Sequence, residues 1–155
     1  MSLESLYQEL LLDHSKRPVG KGLAEETELS ATTHQRNPIC GDEVTLRARV
    51  DEEGRLVEVT WEGSGCSVSQ ASASMLTALV RELAAESDGT VPRAEIDALI
   101  TGFRDALRSR GEVPLDEEIF GDAAALSGVS RYSARVKCAM LAWVALEDSL
   151  RRAGG

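Results

Sequence analysis

Basic charge is scarce in this chain: 17 Lys and Arg stand against 26 Asp and Glu, a formal net charge of −9. That balance repels phosphate backbones and anionic membrane surfaces, so neither nucleic acid nor membrane is expected as a partner. Long apolar runs are lacking too, and none approaches the ~20 residues of a membrane span. The opening Met1-Ser2-Leu3-Glu4 has no basic stretch leading into an apolar one, so no secretory leader is expected and the expected location is cytoplasmic. Cysteine is limited to three residues and histidine to two, His14 and His34. An odd, small number of thiols in a reducing compartment argues against a disulfide framework. Metal binding, thiol chemistry or plain burial remain for the cysteines. There is no repeat, low-complexity tract or linker, and 155 residues at 43% hydrophobic content are expected to form a single domain over 1–155.

The elements that are present follow from periodicity. Leu3, Leu6, Tyr7, Leu10 and Leu11 recur at helical spacing, predicting an amphipathic helix over about 2–14 with Ser2 as its N-cap. Val44, Leu46, Ala48 and Val50 alternate with Thr45, Arg47 and Arg49, the pattern of a half-buried strand. Asp51 to Gly54 supply a turn, and Val57, Val59 and Trp61 continue the alternation as the second arm of a hairpin. Residues 27–33 are a candidate for a further strand. Beyond Gly63 and Gly65, a helix is expected to begin at or just after Cys66 and to carry Met75, Leu76, Leu79, Val80 and Leu83. Ile96, Leu99, Ile100, Phe103 and Leu107 mark another helix, opened near Pro92 and stopped by Gly111. A polar connection is expected next, and then a long final helix from about Tyr132 that carries Cys138. Early strands and late helices predict an α+β fold, a small antiparallel three-stranded sheet with helices packed on one face.

Three places carry chemistry. In Asn37-Pro38-Ile39-Cys40-Gly41-Asp42, Pro and Gly hold an irregular loop, and residues two apart in extended chain point the same way. Cys40 and Asp42 can therefore reach one ion, and zinc accepts both thiolate and carboxylate. A turn with a buried thiol and a capping Asp explains the same residues. Cys66 stands at a predicted helix N-terminus, where unpaired N–H groups and the helix dipole favour thiolate. Simple packing under a glycine turn is the alternative there. Cys138 lies inside a helix near its apolar face and by itself looks structural. No CxxC pair is present, so spacing alone does not establish a zinc site.

Asn37 to Asp42, Glu62-Gly63-Ser64-Gly65-Cys66-Ser67-Val68-Ser69 followed by Ala71 to Ser74, and Arg135-Val136-Lys137-Cys138-Ala139 together resemble the SufU branch of the IscU/SufU family, which shares the NifU N-terminal and SufE-like fold. The resemblance extends to Asp13-His14 with Lys16 and Pro18, and to Gly128-Val129-Ser130. It implies that Cys40, Asp42, Cys66 and Cys138 bind zinc and that Cys40 is the catalytic sulfur acceptor. It also implies a pyridoxal-phosphate-dependent cysteine desulfurase of the SufS type as partner, with downstream iron-sulfur assembly proteins receiving the sulfur. Arg135, a turn before Cys138, is a candidate for placing positive charge over the site.

The chain departs from classical IscU scaffolds where Lys137 replaces a histidine before the third cysteine and where a Leu-Pro-Pro-Val-Lys stretch is missing. Both departures favour SufU, as does the longer segment between Ala85 and Glu112, although Tyr132-Ser133 stands where SufU relatives usually have Phe-Pro. The function implied is zinc-dependent sulfur transfer. Two alternatives are a scaffold that assembles a 2Fe-2S cluster on the same four residues, and an adaptor whose zinc only stabilises the fold. For His14 and His34 a surface or core role is expected.

Overall fold

The computed structural model describes residues 3–37 and 41–153, with side chains from residue 5 onward. The expected Ser2 cap and Cys40 lie outside the described residues. The elements are α1 (Leu3–Lys16), β1 (Ser30–Asn37), β2 (Asp42–Val50), β3 (Leu56–Ser64), α2 (Ser67–Ala85), α3 (Arg93–Arg108), α4 (Glu117–Phe120), a 3-10 helix (Gly121–Arg131) and α5 (Ser133–Ala153). None of the described helices is long and apolar enough to cross a membrane.

The three strands pair antiparallel in the order β1-β2-β3, and helices cover one face of the sheet. On that face Val44, Leu46, Ala48 and Val50 are fully buried, while Thr45, Arg47 and Arg49 are half-buried on the other. Each fully buried Val or Leu stabilises the fold by roughly 1.5–3 kcal/mol. Leu46 pairs with Trp61 and Ala48 with Val59, but the register shifts between Arg49 and Val50 and sets Val50 opposite Leu56. Leu56, not Val57, therefore takes the next buried position, because a bulge displaces the alternation by one residue. The first strand begins three residues later than its expected position. Thr27, Leu29 and Ser30 instead close a turn in which Thr27 N–H donates to Ser30 Oγ at 2.8 Å and Leu29 N–H to Thr27 Oγ1 at 3.2 Å.

Helix α5 lies across β1 and β2, and α2 packs on β3 and α5. Phe103 of α3 stacks on Trp143 of α5 with centroids 3.8 Å apart, and Phe120 tilts against both rings at 6.3 Å. The expected polar connection after Gly111 is instead α4 and the 3-10 helix, which bury Phe120, Ala123, Ala124, Ala125, Leu126 and Val129. Its apolar residues are mostly alanines in tight 3-10 turns, so neither helical nor strand periodicity marks them.

Candidate metal centre

Asp42 opens β2, directly opposite Asn37 at the end of β1, so the hairpin fixes its backbone. At the turn, Gly41 has φ +72° and donates its N–H to the Asn37 carbonyl at 2.9 Å. Across the sheet, β3 ends at Ser64, and Gly65 turns the chain into α2 with φ +136°. A Cβ at Gly65 would stand 2.8 Å from Asp42 Cγ and 2.9 Å from Asp42 Cα, so only glycine lets the two chains meet here. Cys66 is the N-cap of α2, as expected from the sequence, with φ −72° and ψ 165°.

Asp42 is 1% exposed, and its carboxylate faces Cys66 twice. Oδ1 accepts the Cys66 N–H at 2.7 Å, and Oδ2 lies 3.4 Å from Cys66 Sγ. Cys138 comes from the first half of α5 and is buried. One donor atom from each of Asp42, Cys66 and Cys138 lies within 4.8 Å of the other two. In a tetrahedral zinc site with bonds of 2.0–2.3 Å the donors stand roughly 3.3–3.8 Å apart, and the Cys66–Asp42 separation already falls in that range. Two soft thiols and one carboxylate in a largely buried corner fit a divalent ion that replaces the thiol protons.

A hydroxyl holds the two cysteine-bearing helices in register. Ser72 Oγ, on α2, donates to the Ala139 carbonyl of α5 at 2.5 Å and accepts Trp143 Nε1–H at 3.0 Å. Cys138 is the residue before Ala139, so this clamp sets its height relative to Cys66. Nothing in the sequence pattern singles out Ser72 among the small residues around it.

Arg135 is exposed and lines an apolar cavity beside the cluster; its backbone N–H donates to the Tyr132 carbonyl at 2.8 Å, and its guanidinium makes no hydrogen bond or ion pair among the described residues. Lys137 is exposed as well. His34 bonds Thr45 Oγ1 at 2.8 Å on the sheet surface. His14 is buried and joins three elements, with Nδ1 2.7 Å from Ser74 Oγ of α2 and Nε2 2.9 Å from Asp122 Oδ2 of the 3-10 helix. Ser74 is fully buried and also accepts Val19 N–H, so the hydroxyl serves as a structural tie between α1, α2 and the segment after α1.

Residues 6–139 match the family model described as NifU-like N terminal domain. The chain is 35% identical over 156 residues to the zinc-dependent sulfurtransferase SufU of Bacillus subtilis, covering 99% of this chain and 95% of that one. It is 32% identical over 152 residues to the iron-sulfur cluster assembly scaffold protein IscU of Streptococcus pyogenes, covering 97% and 86%. Among solved structures, the proposed iron-sulfur cluster assembly scaffold protein for the SUF system of Fervidobacterium islandicum aligns with a TM-score of 0.66 at 30% identity, over 96% of this chain and 99% of that one.

Proposed function

Because the chain belongs to the NifU-like N-terminal domain family, with SufU and IscU as relatives, we propose that it accepts sulfane sulfur from a pyridoxal-phosphate-dependent cysteine desulfurase and passes it to iron-sulfur cluster assembly. In this reading 1–155 is one working domain in the cytoplasm, and Cys40, Asp42, Cys66 and Cys138 hold one zinc ion. The observation that carries it is the convergence of Asp42, Cys66 and Cys138 from a strand, a helix cap and a distant helix. Covalent geometry keeps residue 40 within about 7 Å of the Asp42 Cα, so a fourth donor is within reach.

Zinc, when bound, keeps coordinated thiols in the thiolate form near neutral pH. Cys40 is the acceptor in this reading, because the sequence around Pro38 and Gly41 is expected to form a loop that a partner can approach, while Cys66 and Cys138 are tied to helices. Its thiolate attacks the terminal sulfur of the desulfurase persulfide. A new S–S bond forms on Cys40, the partner's S–S bond breaks, and the partner cysteine leaves as thiolate, with no net oxidation or reduction. Buried Asp42 orients the Cys66 backbone and thiol through the two contacts above.

The test is mass spectrometry of the protein after incubation with a desulfurase and cysteine, comparing wild type with Cys40→Ala after metal analysis of both. A persulfide on Cys40 is expected. One mapped to Cys66 or Cys138, with Cys40 unmodified, removes the assignment. A second reading, assembly of a 2Fe-2S cluster on the same residues, draws support from the likeness to the Streptococcus pyogenes scaffold protein. Anaerobic reconstitution with ferrous iron and sulfide, giving a stable visible chromophore that zinc does not displace, would favour it.

A further inference from the structure

Beside the donor cluster, between α1, the start of α2, the 3-10 helix and the start of α5, lies a cavity of about 470 Å³. Tyr7, Leu11, Val68, Pro114 and Val129 give it apolar walls. Arg131 and Arg135 also line it, and neither guanidinium makes a hydrogen bond or ion pair among the described residues. The Arg131 stem lies over the Gly111 turn, where a Cβ would meet its Cγ at 3.0 Å. No lining residue among those described is acidic, in a chain that carries 26 carboxylate side chains. Glu117, which accepts the Tyr7 hydroxyl at 2.9 Å, reaches the wall only through that bond.

An apolar hollow with two unneutralised guanidinium groups, on a protein of net charge −9, is a local reversal of the molecule's field. Guanidinium recognises carboxylate with paired, planar donors, and the walls take an apolar side chain. The apolar surface reaches the mouth of the cavity and continues past it: Tyr132, itself a lining residue, is 65% exposed, and Val113, next to lining Pro114, is 54% exposed. A ligand confined to the hollow would leave Val113 in water, whereas a peptide running across the mouth covers it together with the exposed part of Tyr132. We propose that this cavity docks an acidic segment of a partner protein that inserts a large apolar side chain and places carboxylates on Arg131 and Arg135. The proposal stands on shape and charge and does not depend on which metal the neighbouring residues hold.

The test uses the full chain as purified and a fluorescent ten-residue peptide with a Leu-Phe pair flanked on both sides by glutamates, read by anisotropy. Two variants challenge different parts of the surface. Arg131→Glu with Arg135→Glu reverses the charge of two exposed side chains and is expected to weaken binding about tenfold or more. Gly128→Leu fills the hollow without touching charge; Gly128 lines the cavity, and a Cβ there meets nothing within 4 Å. It too is expected to weaken binding about tenfold or more, with thermal unfolding unchanged. A lysine-for-glutamate version of the peptide is expected not to bind. The proposal falls if wild type does not bind the peptide at about 1 mM, or if both variants bind like wild type. It falls equally if sodium octanoate binds as tightly as the peptide, or if the cavity proves to mediate self-association that Gly128→Leu abolishes.

Discussion

Gly65 satisfies two demands at once: a backbone at φ +136°, and room for the Asp42 carboxylate where a side chain would begin. Substitution by alanine pushes against Asp42 Cα, a backbone atom that cannot yield without moving β2. Gly65→Ala is therefore expected to cost about 2–4 kcal/mol and to separate Asp42 from Cys66. Thermal unfolding and zinc content check this together, and a variant that keeps both at wild-type values would refute the close-approach argument. Cys66→Ser tests the donor set more gently, since a hydroxyl is nearly isosteric but a far poorer zinc ligand. Metal loss with the fold retained is expected by elemental analysis and circular dichroism, and full occupancy would remove Cys66 from the set.

Between elements, the decisive contact is Ser72 reaching from α2 to the Ala139 carbonyl and the Trp143 indole of α5. Ser72→Ala leaves a buried donor and a buried acceptor without that partner, an expected loss of about 1–3 kcal/mol. It is also expected to lower zinc affinity without touching a ligand, measurable by chelator competition; unchanged affinity would mean the helices hold their register without it. Clean periodicity made β2, α3 and the start of α2 legible in the sequence, because a single buried face dictated each of them. The 3-10 helix was not legible, since its buried residues are small and follow neither period. The donors divide in the same way. Cys66 at a helix start carried a local signal, whereas Cys138 looked structural alone and joined the site only through family resemblance. The Ser72 clamp depends on what stands opposite it after folding, which no local pattern contains.

For the molecule as a whole, an ion bound only by the folded chain adds stability by mass action. Free zinc at a thousandfold excess over its dissociation constant would add about 4 kcal/mol, a rise in Tm of about 10 °C for a chain of this size. The sign of the pH dependence follows from the ligands. Thiolates bind zinc only after losing protons, so the zinc-dependent increment is fully present at mildly alkaline pH and shrinks as protons compete on acidification. The difference in Tm between zinc-replete and chelated protein, followed from about pH 8 to about pH 5, measures this. An increment that stays constant across that range would exclude thiolate ligation.

The donors at positions 42, 66 and 138 also impose an order of events during biosynthesis. A growing chain leaves the ribosome N-terminus first, and the β1–β2 hairpin and the cap of α2 emerge long before α5 exists. Until Cys138 has been synthesised and α5 has docked, Asp42 and Cys66 lack their distant companion, and any ion they meet has an incomplete cage. Closure of the cluster is thus a late, long-range step with a large loop to close. Nascent chains arrested before residue 138 are expected to exchange metal freely, which makes metal retention a marker that synthesis of α5 is complete.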